Sequence, residues 1–270
     1  MNKELQILLA FSRRLPVLPL VGRFAGLAQR FYLRKPRDKV LADVLGVQME
    51  LNPAECVDHG LLFAPHLYDH KEIAFLRSIL REGDTFLDIG ANIGFYSLVA
   101  AQALRGNGKV LAIEADPYNF SRLSSNIELN AVAKIVTKAV NLGISDKFER
   151  LSLVINTTGN RGGSSFLATG SSGVEVDYLP LHALLERYAI DTVKLAKIDI
   201  EGFELRVLSA FFNQAPISLW PQYLIIEINP YFGEESLKLA PMLLSHGYAV
   251  IKKCGLNSIF HLKNREKNDG

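Results

Sequence analysis

Two short segments bring together the residue types that could do chemistry: DIGANIG at 88–94 and DIEGFE at 199–204. In the first, a carboxylate, Asp88, precedes Gly90 and Gly94 and follows an apolar run that predicts a strand. Glycines at such a turn let the backbone approach a ligand, and the N-terminus of the following helix favours a negatively charged group. The first segment therefore predicts a binding turn for a small charged ligand.

The charge of Asp88 discriminates between two ligand classes that use a strand–glycine–helix turn. Dinucleotide folds have a second glycine where this chain has Asn92, and the Asp88 carboxylate would repel their pyrophosphate. The same carboxylate would attract an ammonium group. S-adenosylmethionine carries an ammonium and a sulfonium, together with a carboxylate suited to a helix N-terminus. We therefore expect S-adenosylmethionine as the cofactor.

A second acidic residue, Glu114, ends the next predicted strand. A carboxylate at this point can accept hydrogen bonds from both hydroxyls of a ribose, which dinucleotides and S-adenosylmethionine share. Ala115 and Asp116 would then line the adenine edge. In the alternative interpretation, Glu114 only caps the helix that begins at Pro117.

Asp199 and Glu201, in the second segment, are the candidate catalytic residues. Methyl transfer from a sulfonium mainly requires alignment of the reacting atoms, and a hydroxyl nucleophile must also lose its proton during attack. Asp199 ends a predicted strand and is expected to orient the acceptor or to act as a base, with Glu201 beside it. Glu204, in the first turn of a predicted helix, is expected to be structural. A divalent metal held by Asp199 and Glu201 is the alternative, but the sequence offers no third ligand, so no metal is predicted.

Strand-like and helix-like runs alternate from residue 83 onward. This order predicts an α/β fold with a mostly parallel sheet and helices on both faces. The last two strand-like runs are too close for a crossover helix, so we expect an antiparallel hairpin at one edge of the sheet. The predicted strands are 85–90, 109–116, 135–140, 149–155, 193–200, 223–228, 248–253 and 258–262, and the predicted helices are 95–104, 117–130, 179–188, 203–212 and 234–245.

Four acidic residues, Asp88, Glu114, Asp199 and Glu227, lie at or near the carboxyl ends of predicted strands. Open parallel sheets bind their ligands beyond these ends, so the four side chains are expected at one edge. A Gly/Ser-rich loop at 156–173 is too long for a simple connection. It is expected either to cover the acceptor or to be a flexible loop in solvent.

The charge of the chain is concentrated at its start. Hydrophobic residues make up 49% and charged residues 21% of the 270 residues, which is typical of a globular protein. Residues 1–40 carry nine Lys and Arg and two Asp and Glu, a net charge of +7, which leaves −5 on the remainder. Because the body is mildly acidic, no nucleic-acid partner is predicted for it.

Residues 1–40 are expected to form a basic amphipathic segment ahead of one catalytic domain at 41–270. Arginines and prolines interrupt the apolar residues of the segment, so it does not predict a transmembrane helix. Two alternatives remain open for residues 1–38. They lie on an anionic membrane surface as a peripheral contact, or they pack on the domain.

The cysteines and histidines suggest neither a disulfide framework nor a zinc site. Cys56 and Cys254 form no CxxC pair, which indicates a reducing compartment. We therefore expect a cytoplasmic protein, at the inner face of the membrane if residues 1–38 bind lipid. His59, His66 and His70 lack zinc-site spacing and are expected on the surface or at a pocket wall. The sequence does not predict an oligomeric state.

Five segments together resemble the FkbM-type family of S-adenosylmethionine-dependent class I methyltransferases. They occur in family order over about residues 68–230. The first is common to class I methyltransferases, and KIDIEGFE is the more diagnostic one. The five are GDTFLDIGANIGFYS, VLAIEADP with the helix ending at Asn130, GISD at 143–146, KIDIEGFE at 197–204, and YLIIEI at 223–228.

The resemblance implies a Rossmann-like, seven-stranded sheet and methyl transfer, usually to an oxygen of a sugar or a polyketide-like small molecule. By position, the DIGANIG turn would hold the methionine portion of the cofactor, Glu114 the ribose, and Asp146 the adenine amino group. Many members carry Leu-Asp where this chain has Leu181 and His182. The candidate cofactor-binding residues are Asp88, Gly90, Ala91, Asn92, Gly94, Glu114, Ala115 and Asp146.

The predicted function is therefore O-methylation of a hydroxyl on a glycan or other polyhydroxy small molecule. Methyl transfer to nitrogen or to a protein side chain at the same donor site is the first alternative. A nucleotide-cofactor dehydrogenase, or a ligand-binding module without turnover, is the alternative from another class.

Overall fold

The computed structural model describes Leu9, Ser12 and Arg13 and the ranges 39–153 and 173–263. The described chain divides into two compact units, of which the first ends at His70 and the second begins at Lys71. The basic segment at 1–38 lies outside the described residues except for three positions, and the Gly/Ser-rich loop lies outside them except for Gly173. Our predictions for both, and the predicted domain bounds 1–40 and 41–270, stay predictions.

The first unit contains a β-hairpin and a short helix that the sequence did not predict. Strand β1 (Val40–Val44) pairs antiparallel with β2 (Val47–Leu51), and helix α1 (Cys56–Phe63) follows. The turn places Leu45 and Gly46 at φ angles of 55° and 93°. Positive φ at both central residues is typical of a two-residue hairpin turn.

His59 in α1 corrects one prediction. Its side chain is buried, and its ring centroid lies 4.5 Å from that of Phe63. Burial lowers the pKa of His59 to about 4, so the imidazole is neutral. His59 is therefore a core residue of the first unit rather than a surface residue.

The second unit contains the remaining described strands and α-helices, except that His70, the first residue of α2, belongs to the first unit. The strands are β3 (Thr85–Ile89), β4 (Lys109–Glu114), β5 (Thr137–Asn141), β6 (Gly143–Ser145), β7 (Glu149–Leu153), β8 (Val174–Pro180), β9 (Leu195–Ile198), β10 (Tyr223–Glu227), β11 (Tyr248–Cys254) and β12 (Asn257–Leu262). The helices are α2 (His70–Ile79), α3 (Phe95–Leu104), α4 (Pro117–Glu128), α5 (Ala131–Val136), α6 (Leu181–Arg187), α7 (Glu204–Gln214) and α8 (Glu234–Ser245).

Seven of these strands form one sheet in the order β11–β12–β10–β9–β3–β4–β5. Strands β5, β4, β3, β9 and β10 are parallel, and β12 runs antiparallel between β10 and β11. Leu87 and Ile198 on one face pack with residues of α6 and α7 such as Leu184 and Phe211, whereas α3 contacts β3 and β4, and α4 contacts β4 and β5. Every residue of β3 is buried, as expected for a central strand. The predicted α/β fold, with a mostly parallel seven-stranded sheet and an antiparallel edge hairpin, is confirmed.

The region after α4 differs from the prediction. The run 135–140 begins with the end of α5, so β5 starts only at Thr137. The strand predicted at 149–155 is β7 in its described part, and it belongs to a separate three-stranded sheet of order β6–β8–β7. The helix predicted at 179–188 starts at Leu181, because the two residues before it complete β8, which was not predicted.

Candidate functional site

The two candidate binding segments meet where the order of the parallel strands reverses. The chain adds β4 and β5 on one side of β3, whereas β9 and β10 lie on its other side. Loops leave adjacent strands in opposite directions at such a switch point, and open α/β sheets bind ligands in the crevice between them. Asp88, in β3, and Asp199, directly after β9, lie at this point.

Gly90 marks the closest approach between the two segments. Its φ angle is 81°, and a Cβ atom at this position would lie 1.9 Å from the carbonyl oxygen of Asp199. The backbone N–H of Asp199 donates to the carbonyl of Ile89 at 3.0 Å. Because both its conformation and its space exclude a side chain, Gly90 lets the DIGANIG turn lie directly against the DIEGFE turn.

The rest of the DIGANIG turn is fixed by β4 and α4. Ala91 is buried, and its N–H donates to a carbonyl of β4 at 2.9 Å. Asn92 has a φ angle of 51°, and its N–H donates to Glu114 Oε2 at 2.7 Å. A Cβ atom on Gly94 would lie 2.6 Å from the side chain of Leu123 in α4. Helix α3 begins directly after Gly94, and its N-terminus can receive a carboxylate.

Asp88 fits the ammonium group of S-adenosylmethionine. It is fully buried, Ser97 Oγ donates to its Oδ2 at 2.6 Å, and its Oδ1 has no hydrogen-bond partner among the described residues. Burial raises the pKa of Asp88, and the Lys197 charge and the Ser97 hydrogen bond oppose this effect. A buried carboxylate oxygen without a donor is costly, and a cationic donor beside it offsets that cost.

Glu114 links the DIGANIG turn to β4; because this turn is expected to bind the methyl donor, we call it the donor turn. Its Oε2 accepts the N–H of Asn92, and its Oε1 accepts the N–H of Asp116 at 2.8 Å. Each carboxylate oxygen keeps a second lone pair, so both hydroxyls of a ribose can still donate to Glu114. Burial raises its pKa to about 7, although the two backbone hydrogen bonds lower it. The helix cap is Asp116, which accepts the N–H of Tyr118 at 2.9 Å, so capping is not the role of Glu114.

Two other predicted cofactor-binding residues lie beside the three-stranded sheet. Ala115 packs against the small core cluster of that sheet. Asp146 follows β6, and its Oδ1 accepts a hydrogen bond from Arg206 Nε at 2.7 Å, which lowers the pKa of Asp146. Arg206 also donates to Glu149 at 2.8 Å. Asp146 is thus tied to α7, and its contact with the adenine stays a prediction.

Asp199 forms an ion pair that the sequence did not predict. The ammonium of Lys197 lies 2.9 Å from Asp199 Oδ2, 3.5 Å from the carbonyl oxygen of Gly90, and 5.1 Å from the centroid of the Tyr96 ring. Burial alone would raise the pKa of Asp199, but Lys197 and a hydrogen bond from Glu227 hold it below its ordinary value. Asp199 is therefore an anion anchored to the donor turn.

Glu201 and Glu204 differ in their surroundings. Glu201 is half-buried at a φ angle of 52°, and burial followed by the charges of Asp199 and Glu227 raises its pKa to about 8. Glu204 is buried, and its two oxygens accept the N–H groups of Ile200 at 2.8 Å and Gly202 at 3.0 Å. Glu204 is thus structural, because it closes the DIEGFE turn from inside.

Glu227 lies at the edge of the sheet where the sequence predicted it, but the sequence did not identify it as a site residue. It ends β10, the parallel neighbour of β9, so its carboxyl group lies beside Asp199 at the same edge of the sheet. Burial and the charge of Asp199 raise the pKa of Glu227 to about 7. Its position at a strand end was visible in the sequence, but its contact with Asp199 depends on the pairing of strands that are distant in sequence.

Within the described part of the chain, no group of three or more His, Cys, Asp and Glu side chains is arranged to hold a metal ion. The helices of the same part include none with the length and apolar character needed to cross a membrane.

Comparison with known proteins identifies one family. Over residues 88–250 the sequence matches the family described as methyltransferase FkbM domain. No curated protein matches the sequence.

The comparison with solved structures includes the following three, each with a TM-score under 0.5. A methyltransferase FkbM from Methylobacillus flagellatus KT is 16% identical with a TM-score of 0.45, over 90% of this chain and 59% of that one, so this chain spans about three fifths of its length. A human methyltransferase 10 domain containing protein is 13% identical with a TM-score of 0.49, over 90% and 95% of the two chains. An O-methyltransferase from Bacillus cereus in complex with SAH is 15% identical with a TM-score of 0.45, over 72% and 81%.

Proposed function

The chain belongs to the FkbM family of methyltransferases, which it matches over more than half of its length, and from this premise we propose that it methylates a hydroxyl oxygen on a glycan or other polyhydroxy small molecule. As a member of this family it uses S-adenosylmethionine, so the dinucleotide-dependent dehydrogenase that the sequence left open is wrong. When bound, S-adenosylmethionine supplies a methyl group already activated on a sulfonium. The protein must then align the acceptor, exclude water and remove a proton.

The donor side of this function is assigned to the residues around the DIGANIG turn. The orphaned oxygen of Asp88 would receive the ammonium, and the start of α3 would receive the carboxylate. Glu114 would hold the ribose hydroxyls. Such positioning of reactants contributes roughly 7–11 kcal/mol to lowering a barrier, which is more than any single acid or base supplies.

Transfer to oxygen is supported by one observation: ionisable carboxyl groups cluster directly beside the donor turn. Asp199, Glu201 and Glu227 lie at the carboxyl ends of β9 and β10, and the pKa values of the two glutamates are raised to about 8 and about 7. A hydroxyl must lose its proton during attack, and a base is most effective when its pKa lies near the ambient pH. The cluster therefore suits a hydroxyl acceptor.

The same acidity favours a second candidate, transfer to nitrogen or to a basic protein side chain. Three carboxyl groups would attract a protonated amine as well as they would deprotonate a hydroxyl. The two candidates differ in their products, an ether or a methylated amine.

The test is transfer of a labelled methyl group from S-adenosylmethionine to two matched acceptor sets. One set contains free sugars and glycosides, and the other contains the corresponding amino sugars and lysine-containing peptides. We expect labelled methyl ethers, identified by mass spectrometry, from the first set only. Label on nitrogen in the second set, with none in the first, would contradict the proposal.

A further inference from the structure

Glu227 is positioned to act on the acceptor. Ile226 of β10 lies opposite Ile198 of β9, so the residues that follow these positions emerge side by side at the carboxyl edge of the sheet. There the carboxyl groups of Glu227 and Asp199 are close enough to act on each other, which raises the pKa of Glu227 and lowers that of Asp199. The side-chain amide of Asn229 donates to Glu227 Oε1 at 3.1 Å. Two carboxyl groups in contact titrate as a pair, and they share one proton at pH values between their two apparent pKa values.

The surroundings of the pair determine where this proton resides. Asp199 has the ammonium of Lys197 at 2.9 Å, and this charge favours its ionised form. Two acidic groups, Asp199 and Glu204, raise the pKa of Glu227 by their charges. Glu201 is a third acidic neighbour. On the other side β12 places the uncharged Asn257 opposite Glu227. Asp199 is therefore the anion of the pair, and Glu227 carries the proton that is exchanged.

We infer that Glu227 is the catalytic base that accepts the proton of the acceptor hydroxyl, and that Asp199 is a positioning residue that orients Glu227. The inference deepens the transfer to oxygen proposed above and rests on it. It changes the assignment made from the sequence, in which Asp199 is the candidate base.

The transfer step balances with these residues. A lone pair of the acceptor oxygen forms the new bond to the methyl carbon, while the carbon–sulfur bond breaks and its electron pair stays on sulfur as a neutral thioether. The hydroxyl proton moves to the ionised carboxylate of Glu227, which becomes a neutral carboxyl group and later loses the proton to water. Asp199 keeps its charge throughout, because Lys197 remains paired with it.

The first test is Glu227→Gln, with Glu235→Gln as the control, since Glu235 is an exposed acid in the first turn of α8. Transfer to the sugar set by the wild-type chain should rise with pH through about 7, the pKa to which burial and the Asp199 charge raise Glu227. Glu227→Gln should lose this rise and about 10²–10⁴-fold of the rate, as expected for loss of a general base. Its calorimetric affinity for S-adenosylhomocysteine should be unchanged. Equal rates and equal pH profiles in Glu227→Gln and the control would overturn the inference.

The second test needs no acceptor. Carboxyl carbons of the ¹³C-labelled chain, loaded with S-adenosylhomocysteine, are titrated by NMR, and the Glu227 signal is assigned by its absence in Glu227→Gln. We expect its midpoint near 7, and a lower midpoint in Asp199→Asn because the like charge is removed. An unchanged midpoint in Asp199→Asn would show that the pair does not share a proton and would refute the inference. Methylation of nitrogen alone would instead contradict the proposed function, so the two failures are distinguishable.

Discussion

Replacement of Gly90 by alanine tests whether the donor turn and the DIEGFE turn must be in contact. The new Cβ atom would lie 1.9 Å from the carbonyl oxygen and 2.9 Å from the carbonyl carbon of Asp199. Non-bonded carbon contacts are optimal at about 3.5–4.0 Å, so one of the two segments must move by more than about 1 Å. Because the obstacle is backbone, no side-chain rotation can relieve it.

Gly83→Ala is a matched control for the strain that alanine introduces at positive φ. Gly83 has a φ angle of 89°, close to the 81° of Gly90, but a Cβ atom there would meet nothing within 4 Å. Alanine at positive φ costs roughly 1–2 kcal/mol in both variants. Gly90→Ala adds the displacement, about 1–3 kcal/mol by comparison with overpacked cores. At about 2–4 °C per kcal/mol, the Tm of Gly90→Ala should be lower than that of Gly83→Ala by about 2–12 °C.

Thermal unfolding and calorimetric titration with S-adenosylhomocysteine measure the two consequences. Gly83→Ala should bind the ligand like the wild-type chain, because Gly83 lies outside the site. Gly90→Ala should bind it at least about tenfold more weakly, the equivalent of 1.4 kcal/mol, because the displaced turn no longer matches the ligand. Equal Tm losses and equal affinities in the two variants would refute the contact between the turns.

Three further predictions concern burial, pH and the basic segment. Ser97→Ala removes the hydroxyl that donates to the buried Asp88 at 2.6 Å, and it should lower the free energy of unfolding by about 1–3 kcal/mol. The control Ser125→Ala, on an exposed part of α4, should change this free energy little. Similar losses in the two variants would contradict the role of Ser97. Burial and the charge of Asp199 raise the pKa of Glu201 to about 8, so its contribution to stability is present below the unfolded pKa of 4.5 and is lost as the pH rises through 8. Between pH 5 and pH 8 the free energy of unfolding of Glu201→Gln should therefore rise by about 1 kcal/mol relative to that of the wild type, after allowance for solvent screening. Denaturant titrations measure both, and free energies of unfolding that change in parallel with pH in the two chains would exclude this effect. If residues 1–38 bind an anionic surface, the full chain should float with phosphatidylserine vesicles at low salt and the chain from residue 39 should not, whereas equal flotation would remove the membrane alternative.

The sequence predicted the features that depend on local pattern. Buried runs such as 85–89 and 223–227 are short and apolar, and the alternation of strands with helices determines a parallel sheet whatever the exact pairing. The glycine turn after β3 was likewise predictable, because Gly90 and Gly94 are needed for backbone reasons that act within a few residues. Element boundaries were less predictable, as at 135–140, where α5 ends and β5 begins without a proline or glycine between them.

The contacts between side chains at the site could not be predicted from local sequence pattern. Lys197 appeared only as part of a motif, and its ion pair with Asp199 depends on two side chains of one strand end pointing into the same crevice. The contact between Asp199 and Glu227 depends on β9 and β10 being neighbours, although almost thirty residues separate these two acids in sequence. Burial, which raises the pKa of Glu227 to about 7, is a property of the whole sheet and has no local signature.

The internal closure of the DIEGFE turn by Glu204 is a local feature of the chain. Its two backbone hydrogen bonds are made within five residues, from Ile200 to Glu204, so the shape of the turn does not have to be imposed by the rest of the chain. The closure is limited to 200–204, because Lys197 and Ile198 belong to β9 and depend on its pairing with β3 and β10. A graft of KIDIEGFE into another sheet would therefore have to supply both neighbouring strands.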